Sequence, residues 1–523
     1  MRALLVFLLV TCAAMPEALH ARACRAGLVF EDRDGDGQQG EGEPGLAGIA
    51  VSDGQRIVRT DTLGRWKLPL AHGPSVFVIK PPSHGLPTGA DGLPAFWRPL
   101  PRRGDESAPD VDCAAFALRP RAAPAPEPLK VLLMGDPQPK TLVDVVYYER
   151  DIVAPLVVAA DGNPVADLGL TLGDVVSDDA SLYPRMIELT ARLRTPWLHA
   201  AGNHDLDFQA MGDVRSLDSF HRHFGPDTFA WEEPQASFIV LDDVIYQPRA
   251  GKPYIGGLRR EQFFFLEAYL ATVPRDRRLV LVAHIPFFDE PGRETFRQSD
   301  RERLFAMLEP FENVLLLTAH GHVQRHYRHG PADGWHGSEP LHEYNVGAAC
   351  GGYWSGEKDA DGIPDARMSD GTPNGYARAE FRSDGSYGLF WQVARGGDAA
   401  MHLHAPRVLR TGSYPAAGVY ANVYMGEADT RVEFRINQGP WRPMARTDEP
   451  DPALRRENLL DDATSILRGY DRLPEAEATT HLWRATLPTD LGDGDHAVEV
   501  RAFDRWRGEV RASTTYRLVD ASP

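Results

Sequence analysis

Five times between Val131 and Gln324 an apolar run stops abruptly on a polar cluster. The runs Val131-Leu-Leu-Met134, Leu168-Gly-Leu-Thr-Leu172, Trp197-Leu-His-Ala200, Leu279-Val-Leu-Val-Ala283 and Val314-Leu-Leu-Leu-Thr318 lead into Gly135-Asp-Pro-Gln138, Gly173-Asp174, Gly202-Asn-His-Asp205, His284 and His320-Gly-His-Val-Gln324. Short apolar runs without polar alternation are typical of strands buried on both faces of a sheet. Ser237-Phe-Ile-Val-Leu241 is another, and helix-patterned stretches at 259–270 and 300–308 lie between several of them. This alternation predicts an α/β domain. In open α/β sheets ligand groups gather beyond the carboxyl ends of the strands, so the five clusters should meet in one pocket. Residues 341–346, 375–381 and 387–393 read as antiparallel strands that finish a second sheet.

On both sides the pattern changes. Residues 27–118, and again those from about 402 onward, show short alternating runs separated by Gly, Asp and Pro, the signature of β-sandwiches. The 48 Gly and 42 Pro of the 523 residues favour such loops and short strands over long helices. Ala122-Ala-Pro-Ala-Pro-Glu-Pro128 reads as a semi-rigid spacer. The chain therefore divides into a leader (1–23), an N-terminal β-sandwich (24–120), a Pro/Ala linker (121–128), the α/β domain (129–397) and a C-terminal β-sandwich (398–523). Asp32, Asp34 and Asp36 alternate like the start of a calcium loop and are read as a solvated acidic turn.

Met1-Arg2, the apolar residues 3–14 and Ala21-Arg22-Ala23 form the pattern of an export signal, which implies a periplasmic or extracellular protein. Lipid attachment at Cys24 is disfavoured by Arg22, which stands where that cleavage pattern wants a small residue. No run reaches transmembrane length. In an oxidising compartment Cys24 and Cys113, at the two ends of the first sandwich, are the natural disulfide pair. A net charge of −18 offers no nucleic-acid-binding footprint.

The ordered blocks Asp136-Pro-Gln138, Gly173-Asp174, Gly202-Asn-His-Asp205, His284 and Gly321-His322-Val-Gln324 resemble those of the calcineurin-like metallophosphoesterases, over roughly residues 130–350. The resemblance implies an α/β sandwich core of two central sheets flanked by helices. The two β domains are similar to the N- and C-terminal partners of an exported bacterial branch of the family. It further implies two divalent cations bridged by Asp174, one taking Asp136, Gln138, Asp174 and Gln324, the other Asp174, Asn203, His284 and His322. Metal-bound hydroxide would attack a phosphomonoester or phosphodiester, with His204 assisting at the phosphoryl or leaving oxygen and Asp205 orienting His204.

Gln138 and Gln324 depart from the family's common His. A carbonyl oxygen is a harder, weaker ligand than imidazole, so the first site is expected to bind less tightly and to favour Mn or Mg, with Fe and Zn as further candidates. The same departure motivates an alternative from another class, a catalytically degenerate envelope module that keeps the pocket for binding. Gly347-Ala-Ala-Cys-Gly-Gly-Tyr-Trp-Ser-Gly356 combines glycines with Tyr353 and Trp354, flat walls suited to a substrate mouth. Cys350 within it reads as a small buried hydrophobe, and the β domains are candidates for contact with envelope carbohydrate.

Overall fold

The computed structural model describes residues 26–68, 73–100, 115–121, 125–250, 253–289, 294–415, 417–466 and 468–520. The leader, Cys24 and Cys113, and with them the disulfide expectation, lie outside the described residues. Among those residues no helix is long and apolar enough to cross a membrane.

Two sheets form the centre. The first has the order Trp197–Ala200, Leu168–Leu172, Leu129–Met134, Gly375–Phe381, Tyr387–Val393. Its first three strands run parallel and the last two antiparallel. The second has the order Phe229–Glu232, Ser237–Val240, Arg278–Val282, Asn313–Thr318, Leu341–Asn345, Arg325–His329, with a parallel middle of four strands. The late strands are thus shared out. Leu341–Asn345 runs parallel within the second sheet, whereas Gly375–Phe381 pairs with Leu129–Met134 and closes the first. Phe238 of one sheet meets Phe381 of the other edge to face at 5.5 Å, so the two apolar faces share a core. Burial on both faces is why the parallel strands read as unbroken apolar runs.

Helices Tyr183–Arg192, Arg260–Leu270 and Gln298–Leu308 follow strands of these sheets. The α/β sandwich expected from the sequence is therefore the observed core, with a two-sheet β unit on either side.

The N-terminal sheets are not insulated from that core. Phe77 and Phe96 reach Phe229 (6.4 and 5.1 Å), Phe265 lies 6.2 Å from Phe77, and Trp231 lies 5.9 Å from Phe96. Beside them the fully buried Lys80 ammonium donates to Glu233 Oε1 (2.6 Å) and to the Glu232 carbonyl (2.8 Å). Burial pulls the Lys80 pKa down to about 8 against the raising effect of Glu233. In the acidic turn, the carboxylate oxygens of Asp32, Asp34 and Asp36 lie within 4.8 Å of one another. Glu43, twelfth counting from Asp32, accepts the backbone N–H groups of Arg33 and Gly40 and so closes the loop. Glu43 adds an organising residue to what the sequence reading took for a solvated turn.

The C-terminal unit has its own apolar cluster, including Val419, Val432, Trp483, Val498 and Tyr516, between a four- and a five-stranded sheet. It also holds a helix, Pro452–Ala463, where the sequence reading expected strands and loops. Asp451 starts it by accepting the N–H groups of Ala453 and Leu454, with Pro452 at the first position, where its missing N–H costs nothing.

Candidate metal centre

Five of the parallel strands deliver polar residues within a few positions of their carboxyl ends. Asp136 and Gln138 follow Met134, Asp174 follows Leu172, Asn203 and His204 follow Ala200, His284 follows Val282, and His320 and His322 follow Thr318. Turning side chains inward this soon demands unusual backbone. Asp136 (φ 42°), Gln138 (43°), Asp174 (49°), His320 (66°) and His322 (48°) all adopt the left-handed conformation, at about 1–3 kcal/mol each. Five such non-glycine residues on one set of strand ends mark where fold stability is given up for a site. Glycine is required between them: a Cβ on Gly202 would stand 2.2 Å from Asp174 Oδ1, and one on Gly173 2.4 Å from His284 Nδ1.

The side chains converge. Candidate ligand atoms of Asp174, His284 and His320 lie within 4.8 Å of one another. His284 Nε2 is 3.0 Å from Asn203 Oδ1, 3.2 Å from His320 Nδ1 and 3.4 Å from Asp174 Oδ2, while its Nδ1 donates to the Leu172 carbonyl at 2.8 Å. On the other side His322 Nε2 is 3.6 Å from Asp136 Oδ1, and its Nδ1 donates to the Gly351 carbonyl at 2.7 Å. Gln138 joins the two halves, its Nε2 3.3 Å from Asp174 Oδ2 and its Oε1 3.7 Å from Cys350 Sγ. His284 and His322 thus each use Nδ1 on a backbone carbonyl and turn Nε2 toward a carboxylate. That is the arrangement that fixes a ligating tautomer.

The charge balance is that of a cation site. Burial raises the Asp136 carboxyl to about 8, with Asp174 adding to the rise. For Asp174 burial also acts upward, but His284, His204 and His320 around it hold it well below the usual carboxylate range. Burial alone would lower His284; the surrounding Asp174, Asp136 and Asp243 push it up to about 10 instead. His320 and His322 are driven by burial to about 3 and about 4, the neutral form a ligand needs. With Asp136 keeping its proton and His284 charged beside Asp174, protons stand where divalent cations would take their place. The donor set of carboxylates, an amide carbonyl and imidazoles fits such cations.

Three sequence expectations need correction here. Gln324 is not among the converging groups: its Oε1 accepts from Tyr344 Oη at 2.7 Å and its amide packs on Gly347. His320, omitted from the expected ligands, takes a place beside His284, and His322 turns to the Asp136 side rather than the Asn203 side. The motif is better read two residues earlier, as Ala319-His320-Gly321-His322, which keeps both imidazoles and changes only the leading glycine. The proximity of His320 to the end of the strand Asn313–Thr318 was the available signal.

Asp205, secondly, does not orient His204. Its buried carboxylate accepts Gly202 N–H (2.8 Å), Val175 N–H (3.1 Å) and Tyr183 Oη (3.0 Å), which leaves it holding the loop together. The ring partner of His204 is Asp178, Nδ1 to Oδ1 2.7 Å, and the His204 N–H donates to Asp174 Oδ1 at 2.8 Å. The neighbouring Asp179 caps the following helical turn by accepting from Ser181 N–H. Thirdly, Trp354 is buried and donates Nε1–H to the Pro137 carbonyl, so it is a wall under the Asp136 loop and not a substrate contact. Tyr353 is 63% exposed with its ring 4.8 Å from that of His322, at the rim.

Asp243 was not singled out from the sequence. Fully buried, it accepts the N–H groups of His284 and Ile285 and fixes the turn that presents His284. Cys350 is free, buried and pushed by burial well above the ordinary thiol range, so it is an inert neighbour of Gln138 and His322. A cleft of about 660 Å³, lined by Gly89, Asp91, Ile187, Glu188, Ala191 and Arg222 among others, contains none of these residues.

Known families match the chain in two places. Residues 33–115 match the N terminal, and residues 343–509 the C terminal, of calcineurin-like phosphoesterase. No curated protein matches. Among solved structures, purple acid phosphatase PPD1 from yellow lupin (Lupinus luteus) seeds is similar at 13% identity and a TM-score of 0.38, over 69% of this chain and 66% of that one. The chain thus spans just under two thirds of that phosphatase.

Proposed function

We propose that this chain, which belongs to the calcineurin-like phosphoesterases, is an exported hydrolase of phosphomonoesters or phosphodiesters that works with two divalent cations, Mn or Mg foremost. The observation that carries the reading is the meeting of Asp174, His284 and His320 within 4.8 Å, with Asn203 on one flank and Asp136 and His322 on the other. One cation would be held by Asp136, Gln138, Asp174 and His322, the other by Asp174, Asn203, His284 and His320. Such cations lower the pKa of water toward neutrality and neutralise phosphoryl oxygens.

The chain's own residues supply the rest. Asp178 accepts the Nδ1 proton of His204, which leaves Nε2 to hold a proton for a leaving oxygen or to donate to a phosphoryl oxygen. The His204 N–H on Asp174 ties that imidazole to the carboxylate that bridges the two ligand sets. Tyr353 offers an exposed flat surface beside His322 for the organic part of an ester. Export rests on the sequence of residues 1–23, and the domain division on the same reading.

The purified protein supplied with Mn should hydrolyse an aryl phosphomonoester or its diester, and Asp174→Ala should fall to the uncatalysed background. Equal rates in Asp174→Ala and wild type would refute the proposal. The degenerate-module alternative drew on two glutamines and the two β-sandwich domains; with Gln324 engaged by Tyr344, only Gln138 is left of the glutamines.

A further inference from the structure

The loop that carries His320 and His322 is anchored from outside the central sheets. The backbone N–H of Gln324, two residues beyond His322, donates to Asp370 Oδ2 at 2.7 Å. Asp370 is buried, and its other oxygen accepts the N–H of Thr372 at 2.8 Å. Its second partner on Oδ2 is His481 Nε2 at 3.1 Å, from the turn that leads into Leu482–Thr486 of the C-terminal unit's four-stranded sheet. His481 is 1% exposed, and its Nδ1 faces Asn422 Oδ1 at 2.7 Å. Asn422 spends its amide protons on the Asp370 carbonyl (2.8 Å) and on Asp451 (3.1 Å), so its oxygen is an acceptor. Both nitrogens of His481 therefore face oxygen atoms of the junction. The turn at 370–372 is close-fitted to the same unit: a Cβ on Gly371, at φ 82°, would stand 2.5 Å from Asp451.

The left-handed backbone of His320 and His322 needs such over-determination, since a strained loop persists only where its surroundings hold it. The strand Asn313–Thr318 fixes the loop on its entry side, and Asp370 is the charged acceptor on its exit side. Asp370 in turn is fixed by a side chain of the C-terminal unit. We infer that Asp370 and His481 are positioning residues that complete the metal centre through the Gln324 N–H. The C-terminal β unit is then a working part of the cation site, and cation affinity is set partly across that contact.

This inference rests on the two-cation reading above. Its test is Mn binding to the full chain, measured by equilibrium dialysis alongside the melting temperature. Asp370→Ala removes the acceptor for Gln324 N–H and is expected to weaken Mn binding roughly 10–100-fold, the usual effect of losing a residue that orients ligands. Asp370→Asn keeps an acceptor oxygen and should recover most of that loss. His481→Gln leaves Asp370 without its imidazole partner and should fall between the two. If Asp370→Ala does not fold, Asp370→Asn and His481→Gln carry the test. Glu427→Gln is the control, because Glu427 joins Arg328 and Arg505 at the same junction without touching Asp370. It should leave Mn affinity unchanged. Wild-type affinity in all the Asp370 and His481 variants, or an equal loss in Glu427→Gln, overturns the inference while leaving the two-cation reading intact. Absence of Mn binding in the wild type overturns both.

Discussion

At the scale of single residues, two aspartates in adjacent turns do different work. Asp178 is half exposed and bonds the His204 ring, whereas Asp205 is buried under backbone N–H groups. Asp178→Asn should lower kcat about tenfold or more without changing the melting temperature. Asp205→Ala should cost about 3 kcal/mol of stability, because several buried donors lose their acceptor together. Rates and thermal melts of the two variants separate the roles. The sequence reading chose Asp205 because it adjoins His204, but the helical turn Asn203–Asp205 points neighbours apart, and no spacing rule reveals that. Gln324 misled for a related reason: a two-residue shift in a motif is invisible until the loop's path fixes which imidazoles face inward.

His199 gives a second prediction at this scale. It sits buried against Phe224 with neither ring nitrogen bonded, and burial lowers its pKa to about 3. Between pH 6.5 and 3 the unfolded chain binds a proton that the folded chain refuses. Its contribution to stability is thus full above pH 6.5 and is lost as pH falls through that window. His199→Leu should remove up to about 5 kcal/mol of acid destabilisation, which melting curves of both proteins across this pH range would reveal. An unchanged acid profile would contradict the account.

At the scale of elements, the strand ends are the functional unit. The buried strands were legible as apolar runs, and the helices at Arg260–Leu270 and Gln298–Leu308 fall within two residues of the sequence reading. Sheet membership of the late strands was not legible, since apolar alternation specifies a strand but not its partner. The helix Pro452–Ala463 was missed although Asp451-Pro452 announces it, because the surrounding residues alternate like strands. The turns after the strands need glycine where ligands crowd the backbone. Gly173 has φ 91° and faces the His284 ring, so Gly173→Ala should cost about 1–3 kcal/mol and weaken Mn binding as well. A variant that melts lower yet binds Mn normally would show that the turn supports the sheet and not the site.

At the scale of the whole molecule, the three units are joined unequally. The N-terminal sheets share an apolar cluster with the centre through Phe77, Phe96 and Trp231, whereas the C-terminal unit keeps a second cluster of its own and reaches the centre through Tyr424, Met425 and Trp506 together with polar groups. Phe96→Ala should therefore cost about 3–5 kcal/mol and lower the melting of the central sheets, not of the N-terminal unit alone. Calorimetry that finds the central transition unmoved would refute this. The claim on which all else depends is that His320 and His322 hold separate cations joined by Asp174. The most direct measurement is the number of Mn ions bound per chain by purified protein. The account predicts two in the wild type, two in Gln324→Ala and one in His320→Ala. One or none in the wild type, or a loss in Gln324→Ala with none in His320→Ala, would contradict it.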